Sequence, residues 1–132
     1  MQLLYVSRPA EQLTHAEVQQ IVSASRRQNW HSGLTGCLLF TGSAFAQVLE
    51  GPVATVQTLF ERLRGDARHT DVRILWSEAA GARRFANWTM GYVVDVDLDS
   101  EVVSLLHAST GSDDAVRRLI RRMADDVFLG TS

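Results

Sequence analysis

The sequence predicts an α+β domain with the ferredoxin-like order β-α-β-β-α-β-β: a mixed five-stranded sheet, two helices on one face, and a C-terminal helical extension. Three observations predict it. Short runs that are apolar or alternate with a period of two are interleaved with two segments of helical period. The middle two strands are joined by Thr41-Gly42-Ser43, a tight polar connection of the kind that closes a hairpin. Helices alternating with strands in this order pack together on one side of a sheet.

Leu3 to Ser7 is apolar on both faces and ends at Arg8-Pro9, which suits a central strand. Thr14 with Glu17 three residues later forms a capping box, Leu13 and Val18 can staple across it, and Val18, Ile21, Val22 and Ser25 follow at helical spacing. That helix is expected to run to about Arg27, with Asn29 at its end. Gly33 to Phe40 and Ala44 to Glu50 are the hairpin strands. Gly51-Pro52 opens a second helix with proline at its first position, a buried stripe of Val53, Val56, Leu59, Phe60 and Leu63, and Gly65 to close it. Val72 to Glu78 and Trp88 to Val94 complete the sheet, with Val72, Ile74 and Trp76 on one face of the fourth strand and Trp88, Met90, Tyr92 and Val94 on one face of the fifth. Beyond Asp95 the chain turns polar. Ser100 to His107 and Asp113 to Phe128 are two appended helices, the second with Val116, Leu119, Ile120, Met123 and Val127 in one stripe.

At 132 residues the chain is about one domain long, and a domain of that size buries roughly two thirds of its unfolded surface. The lone Cys37 excludes an internal disulfide and sits in the apolar stretch Gly36 to Phe40, as a small buried hydrophobe would. No basic start precedes a long apolar run and nowhere do eighteen apolar residues follow one another, so neither a signal peptide nor a membrane span is expected and the cytoplasm is the default address. A net charge of −2 and a pI near 6.0 argue against non-specific nucleic-acid binding. His15, His31, His69 and His107 lack the i, i+4 spacing of a helical metal site. Asp95, Asp97 and Asp99 resemble the start of a calcium loop, but Ser100 stands at its sixth position and Leu106 at its twelfth, so they read as a solvated acidic connector. Ser43 lacks a nucleophile elbow and no glycine run forms a phosphate loop, so the chain offers no catalytic centre and is not expected to be an enzyme. Arg117, Arg118, Arg121 and Arg122 form a basic face opposite the last apolar stripe: a solvated helix face, or else a docking surface for an acidic partner.

One residue breaks the apolar pattern. In the strand Ala44 to Glu50 the alternation places Phe45, Gln47 and Leu49 on one face, and two apolar members mean that this face looks into the core. A buried carboxamide left without partners costs about 1 to 3 kcal/mol. Tyr5, on a strand that neighbours this one in the expected topology, is one available partner, and a polar heteroaromatic ligand is another.

Taken together, Tyr5-Val6-Ser7, Asn29 followed by Gly33-Leu34-Thr35-Gly36, Phe45 to Gly51, Asp66-Ala67-Arg68-His69, and Arg84 to Met90 resemble the BLUF family, the blue-light sensors that use FAD. The resemblance runs from about Leu3 to Val94 with order and spacing preserved, while the tail resembles the short helical extensions of stand-alone members. It implies residues 1–96 as a flavin-binding domain and 97–132 as an extension for output or oligomerisation. It implies FAD, or FMN or riboflavin in a foreign host, held between the two helices. Asn29 would bond the pyrimidine edge of the ring, Ile21 and Ser25 would line one side and Leu63 the other, Arg68 and His69 would stand nearby, and Gln47 would lie between the flavin and Tyr5. Tyr5, Gln47, Trp88 and Met90 would form the photochemical switch, in which Tyr5 supplies an electron and a proton while Gln47 rotates or changes tautomer. Trp88 and Met90 would compete for the space beside Gln47, and the signal would pass along the fifth strand to a protein partner in trans, with self-association through the C-terminal helices. The bulk of Trp30, beside Asn29, would bear on the shape of the pocket. The rival readings are an acylphosphatase-like hydrolase, disfavoured because no anion loop precedes the first helix, and an interaction module, ligand-free or binding flavin or heme, without photochemistry.

Overall fold

A computed structural model of the chain describes residues 1–66, 69–79, 81–107 and 113–129. Its elements are β1 (Gln2–Pro9), α1 (His15–Ser32), β2 (Thr35–Phe40), β3 (Phe45–Glu50), α2 (Val53–Arg64), β4 (His69–Glu78), β5 (Gly91–Val94), a 3-10 turn (Val96–Leu98), α3 (Asp99–His107) and α4 (Asp113–Leu129). The strands form one sheet in the order β4-β1-β3-β2-β5, with β5 parallel to β2 and every other pair antiparallel. This is the expected mixed five-stranded sheet.

The start of α1 follows from local chemistry. Thr14 Oγ1 accepts from the Glu17 N–H while the Glu17 carboxylate accepts from the Thr14 N–H, both at 3.2 Å, so two otherwise orphaned donors are satisfied. The helix runs past Arg27 to Ser32, and it is Gly33, at φ 71°, that closes it in the left-handed conformation. Asn29 therefore lies inside α1 rather than at its end. Pro52 is the N-cap of α2 rather than its first helical residue.

Two strands depart from simple alternation. The register steps from Leu4↔Trp76 to Tyr5↔Ile74, leaving Leu75 as an extra residue. This bulge turns Leu75 and Trp76 toward the same cluster, leaves Val72 on the opposite one, and exposes Ile74, so the three residues expected on one face are divided. The fifth strand begins at Gly91, so Trp88 and Met90 belong to the loop before it.

Both faces of the sheet are covered. Leu3, Tyr5, Leu38, Phe45 and Leu49 pack with Val18 and Val22 of α1 and Val56 and Phe60 of α2. On the other face Leu4, Val6, Cys37, Leu39, Ala46 and Val48 pack with α3 and α4. The C-terminal helices are thus a third layer. Val116, Leu119, Ile120, Met123 and Val127, the apolar stripe expected on the last helix, are all under 5 % exposed within the chain's own core. Burying roughly one methylene contributes about 0.8 kcal/mol, so the strand residues of that face hold the helices down.

Candidate functional site

The site is built outward from one cross-strand pair. Antiparallel pairing sets Tyr5 of β1 directly opposite Gln47 of β3, on the face packed by α1 and α2, and leaves them 1 % and 7 % exposed. The Tyr5 hydroxyl donates to Gln47 Oε1. Burial pushes the Tyr5 hydroxyl far above the ordinary tyrosine range, so it stays protonated and remains a donor. Phe60 of α2 packs its ring against Tyr5 at a centroid distance of 5.6 Å, which fixes the phenol from above.

The other end of the amide is poorly satisfied. Gln47 Nε2 donates to the Met90 sulfur at 3.7 Å, and a thioether is a weak acceptor. Its second hydrogen has no partner among the described residues. Asn29, 1 % exposed, donates through Nδ2 to the Thr89 carbonyl at 2.6 Å, and its Oδ1 likewise has no partner among the described residues. Two buried amides with spare hydrogen-bonding capacity on one face of a sheet fit a ligand that presents both carbonyl and N–H groups.

The loop bearing Trp88 and Met90 is fixed from several directions. Gly36 N–H donates to the Trp88 carbonyl at 3.0 Å, Asn29 holds the Thr89 carbonyl, and Arg26 Nε donates to the Met90 carbonyl at 2.8 Å. Met90 is fully buried on the side of α1 and α2. Trp88 packs against the opposite cluster, beside α3 and α4, with its indole N–H buried and unpartnered among the described residues. The two were expected on one face. They lie on opposite faces because the segment before Gly91 is not a strand and the chain crosses the sheet edge between them.

The remaining expected residues are distributed as follows. Ile21 and Ser25 are half-buried on α1, and Leu63 is half-buried on α2 against the Tyr5 cluster. His69 opens β4 with Nδ1 3.3 Å from Ser7 Oγ and its ring 5.9 Å from that of Phe45, so it belongs to the same face rather than to the open surface. Arg68 lies outside the described residues. Trp30 is 75 % exposed and projects away from the site. A groove of ≈ 280 Å³ separates α1 from α2, lined among others by Gln28, Ser32, Thr58 and Arg62. A larger cavity of ≈ 770 Å³ lies on the far face, between β4 and α4, where Trp76, Arg84, Arg117 and Arg121 line it. The acidic connector is not merely solvated: Asp95 pairs with Arg122 at 3.0 Å and Asp99 accepts from Thr41 and Ser43 of the β2–β3 turn. No group of metal-ligating residues is present among the described residues, and no helix among them is long and apolar enough to cross a membrane.

Arg26 was missed in the sequence. Its signal is its place on α1: Val22, Arg26 and Asn29 fall at i, i+4 and i+7, so the arginine shares the inward face.

The ferredoxin-like sheet thus buries a Tyr5–Gln47–Met90 relay beneath α1 and α2. The family model for BLUF, sensors of blue-light using FAD, matches residues 1–91. The chain is 37 % identical over 83 residues to the blue light- and temperature-regulated antirepressor BluF of Escherichia coli (strain K12), covering 63 % of this chain and 21 % of that one. It is 33 % identical over 89 residues to the photoactivated adenylate cyclase subunit beta of Euglena gracilis, covering 67 % and 10 %. The dark-state structure of BlrB, a BLUF protein, superposes with a TM-score of 0.77 at 33 % identity, covering 94 % of both chains. The chain belongs to the BLUF family and is a blue-light sensor domain that binds flavin. It spans about a fifth or less of the length of these two curated relatives.

Proposed function

We propose that the bound flavin is FAD, with FMN or riboflavin acceptable in its place, and that it lies between α1 and α2 against the Tyr5–Gln47 pair. Asn29 and Gln47 would hold its polar edge, Ile21, Ser25 and Leu63 would line its flanks, and His69 with Arg68 would stand at one end. A flavin there supplies blue-light absorption and an oxidising excited state. The protein's part is proton and hydrogen-bond chemistry. Tyr5 gives up an electron and its hydroxyl proton and then recovers both, with Gln47 Oε1 as the first atom in the proton's path. Gln47 reverses or tautomerises, exchanging a carbonyl end for an NH2 end without moving the backbone. Whatever end then faces Met90 alters the 3.7 Å contact that ties the loop to the switch.

The observation that carries this reading is the buried amide whose Nε2 has, among the described residues, only the Met90 sulfur for a partner. The proposed output route draws on the same geometry. The loop leads from Met90 into β5, and α4 packs on β5, which supports the proposal that residues 1–96 sense and 97–132 report, with a protein partner in trans in the cytoplasm as the proposed recipient. Because the apolar stripe of α4 is consumed by its own sheet, any oligomer built on the C-terminal helices joins through their polar outer faces. The test is an absorption spectrum before and after blue illumination. A yellow protein whose flavin band moves to the red and relaxes in darkness bears the proposal out. A colourless protein, or a yellow one with no shift, overturns it in favour of an interaction module or a flavin carrier without photochemistry.

A further inference from the structure

Glu50 is a carboxylate with 0 % exposure, and such a group persists only where hydrogen bonds replace its lost hydration. Three do. Glu50 Oε2 accepts from the Arg84 N–H at 2.6 Å, and Oε1 accepts from the Phe85 N–H at 2.9 Å and from Thr35 Oγ1 at 3.0 Å. Thr35 is itself held, since its hydroxyl accepts from Arg83 Nη1 at 3.3 Å while Arg83 Nη2 donates to the Gly33 carbonyl at 3.0 Å. Carboxylate, hydroxyl and guanidinium therefore form one strap across the first half of the loop that carries Trp88 and Met90.

The strap meets the switch through a single strand. Gln47 and Glu50 are three residues apart in β3, so their side chains leave opposite faces of the sheet. Gln47 touches the end of the loop from the near face through Met90, and Glu50 grips its beginning from the far face through Arg84 and Phe85. Arg84, gripped by its backbone, lays its guanidinium over the Trp76 ring at 5.9 Å and lines the cavity beside α4. Phe85 is fully buried among the residues that pack α3 and α4.

We infer that Glu50 is a positioning residue for the light response: it pins the loop so that, after Gln47 rearranges, Met90 is drawn back to its place, and it thereby sets how long the signalling state lasts. The inference rests on the proposed Gln47 switch. It ascribes no photochemistry to Glu50, which acts only through the backbone of Arg84 and Phe85.

The test is Glu50→Gln, which keeps the shape but turns one acceptor into a donor facing a backbone N–H or the Thr35 hydroxyl. Two readouts are taken: dark recovery after a blue pulse, and hydrogen exchange of the Arg84 and Phe85 amides in darkness. Removing a hydrogen bond to a charged group should slow recovery by about threefold or more, with both amides exchanging at least about tenfold faster. Recovery that is unchanged or faster, with the two amides protected as in the parent, overturns the inference. Should Glu50→Gln fail to fold or to hold flavin, the decision passes to Arg83→Ala, whose exposed guanidinium supports the strap from outside: slowed recovery with faster loop exchange sustains the inference, and parental behaviour in both overturns it. If the parent shows no light-induced shift, the switch reading fails on its own, and amide exchange in the variants still decides whether Glu50 pins the loop.

Discussion

A carboxamide can exchange its donor and acceptor ends while keeping its shape and neutrality, and Gln47 is the buried carboxamide that touches both the Tyr5 hydroxyl and the Met90 sulfur. Gln47→Leu should therefore leave the core packed and the flavin bound while the red shift disappears, as read by a light-minus-dark difference spectrum; a parental shift in this variant would remove the amide from the mechanism. Its stability should differ by no more than about 2 kcal/mol, because the lost hydrogen bond to Tyr5 is offset by an apolar residue on an apolar face. Tyr5→Phe should also retain flavin and lose the normal photocycle, since Trp30 points into solvent and Trp88 packs on the other side of the sheet, so neither stands where Tyr5 does. Gln47 was legible because strict alternation between Phe45 and Leu49 leaves no other direction for it. The same alternation, one residue out of phase, sends Glu50 inward on the far face with Ala46 and Val48, a reading open to the sequence and missed. Trp88 and Met90 misled because alternation was carried into a segment that is not a strand, where spacing says nothing about faces.

Among the elements, β5 and α4 show how closely the last helix and the sheet are fitted. A Cβ placed on Gly91 would stand 2.7 Å from Val127 Cγ2, closer than carbon atoms approach without movement. Gly91→Ala should therefore lift the end of α4, costing about 1 to 3 kcal/mol in urea unfolding, and amide exchange should rise in α4 before it rises in α1. The turn between β2 and β3 is clasped to α3 in a different way. Burial would raise the Asp99 carboxyl, but hydrogen bonds from the Thr41 hydroxyl, the Ser43 hydroxyl and the Ser43 N–H, with the charge of Arg8, hold it below its ordinary value of 3.8. A depressed acid stabilises the fold above its unfolded value and loses that contribution as pH falls through the folded one. Unfolding midpoints at about pH 5 and about pH 3 should thus differ less for Asp99→Asn than for the parent, and an equal fall in both would detach Asp99 from the acid response. Boundaries were less legible than elements. The end of α1 slid from Arg27 to Ser32 because polar residues on an exposed face neither favour nor stop a helix, and Gly33 stops it through its left-handed backbone.

For the whole molecule, the strand and helix order could be read from the sequence, whereas the layer occupied by the C-terminal helices could not. The three central strands, β1, β3 and β2, carry apolar residues on both faces, so periodicity shows that something must cover the far side without naming what does. The apolar stripe on α4 was equally compatible with a second copy of the chain and with its own sheet, and the choice is made by Leu4, Val6, Leu39 and Val48, which otherwise face water. That layering has a use at the bench. Cys37, the chain's one sulfhydryl, is wholly enclosed beneath α4, close enough to feel the charge of Asp126, and burial raises its pKa further than either Asp126 or Glu50 does. Alkylation must wait for the helix to come away, so its rate is a stopwatch for undocking that needs no added label. Gly91→Ala should quicken it; and identical rates in darkness and under blue light would mean that the last helix stays seated while the message leaves by another route.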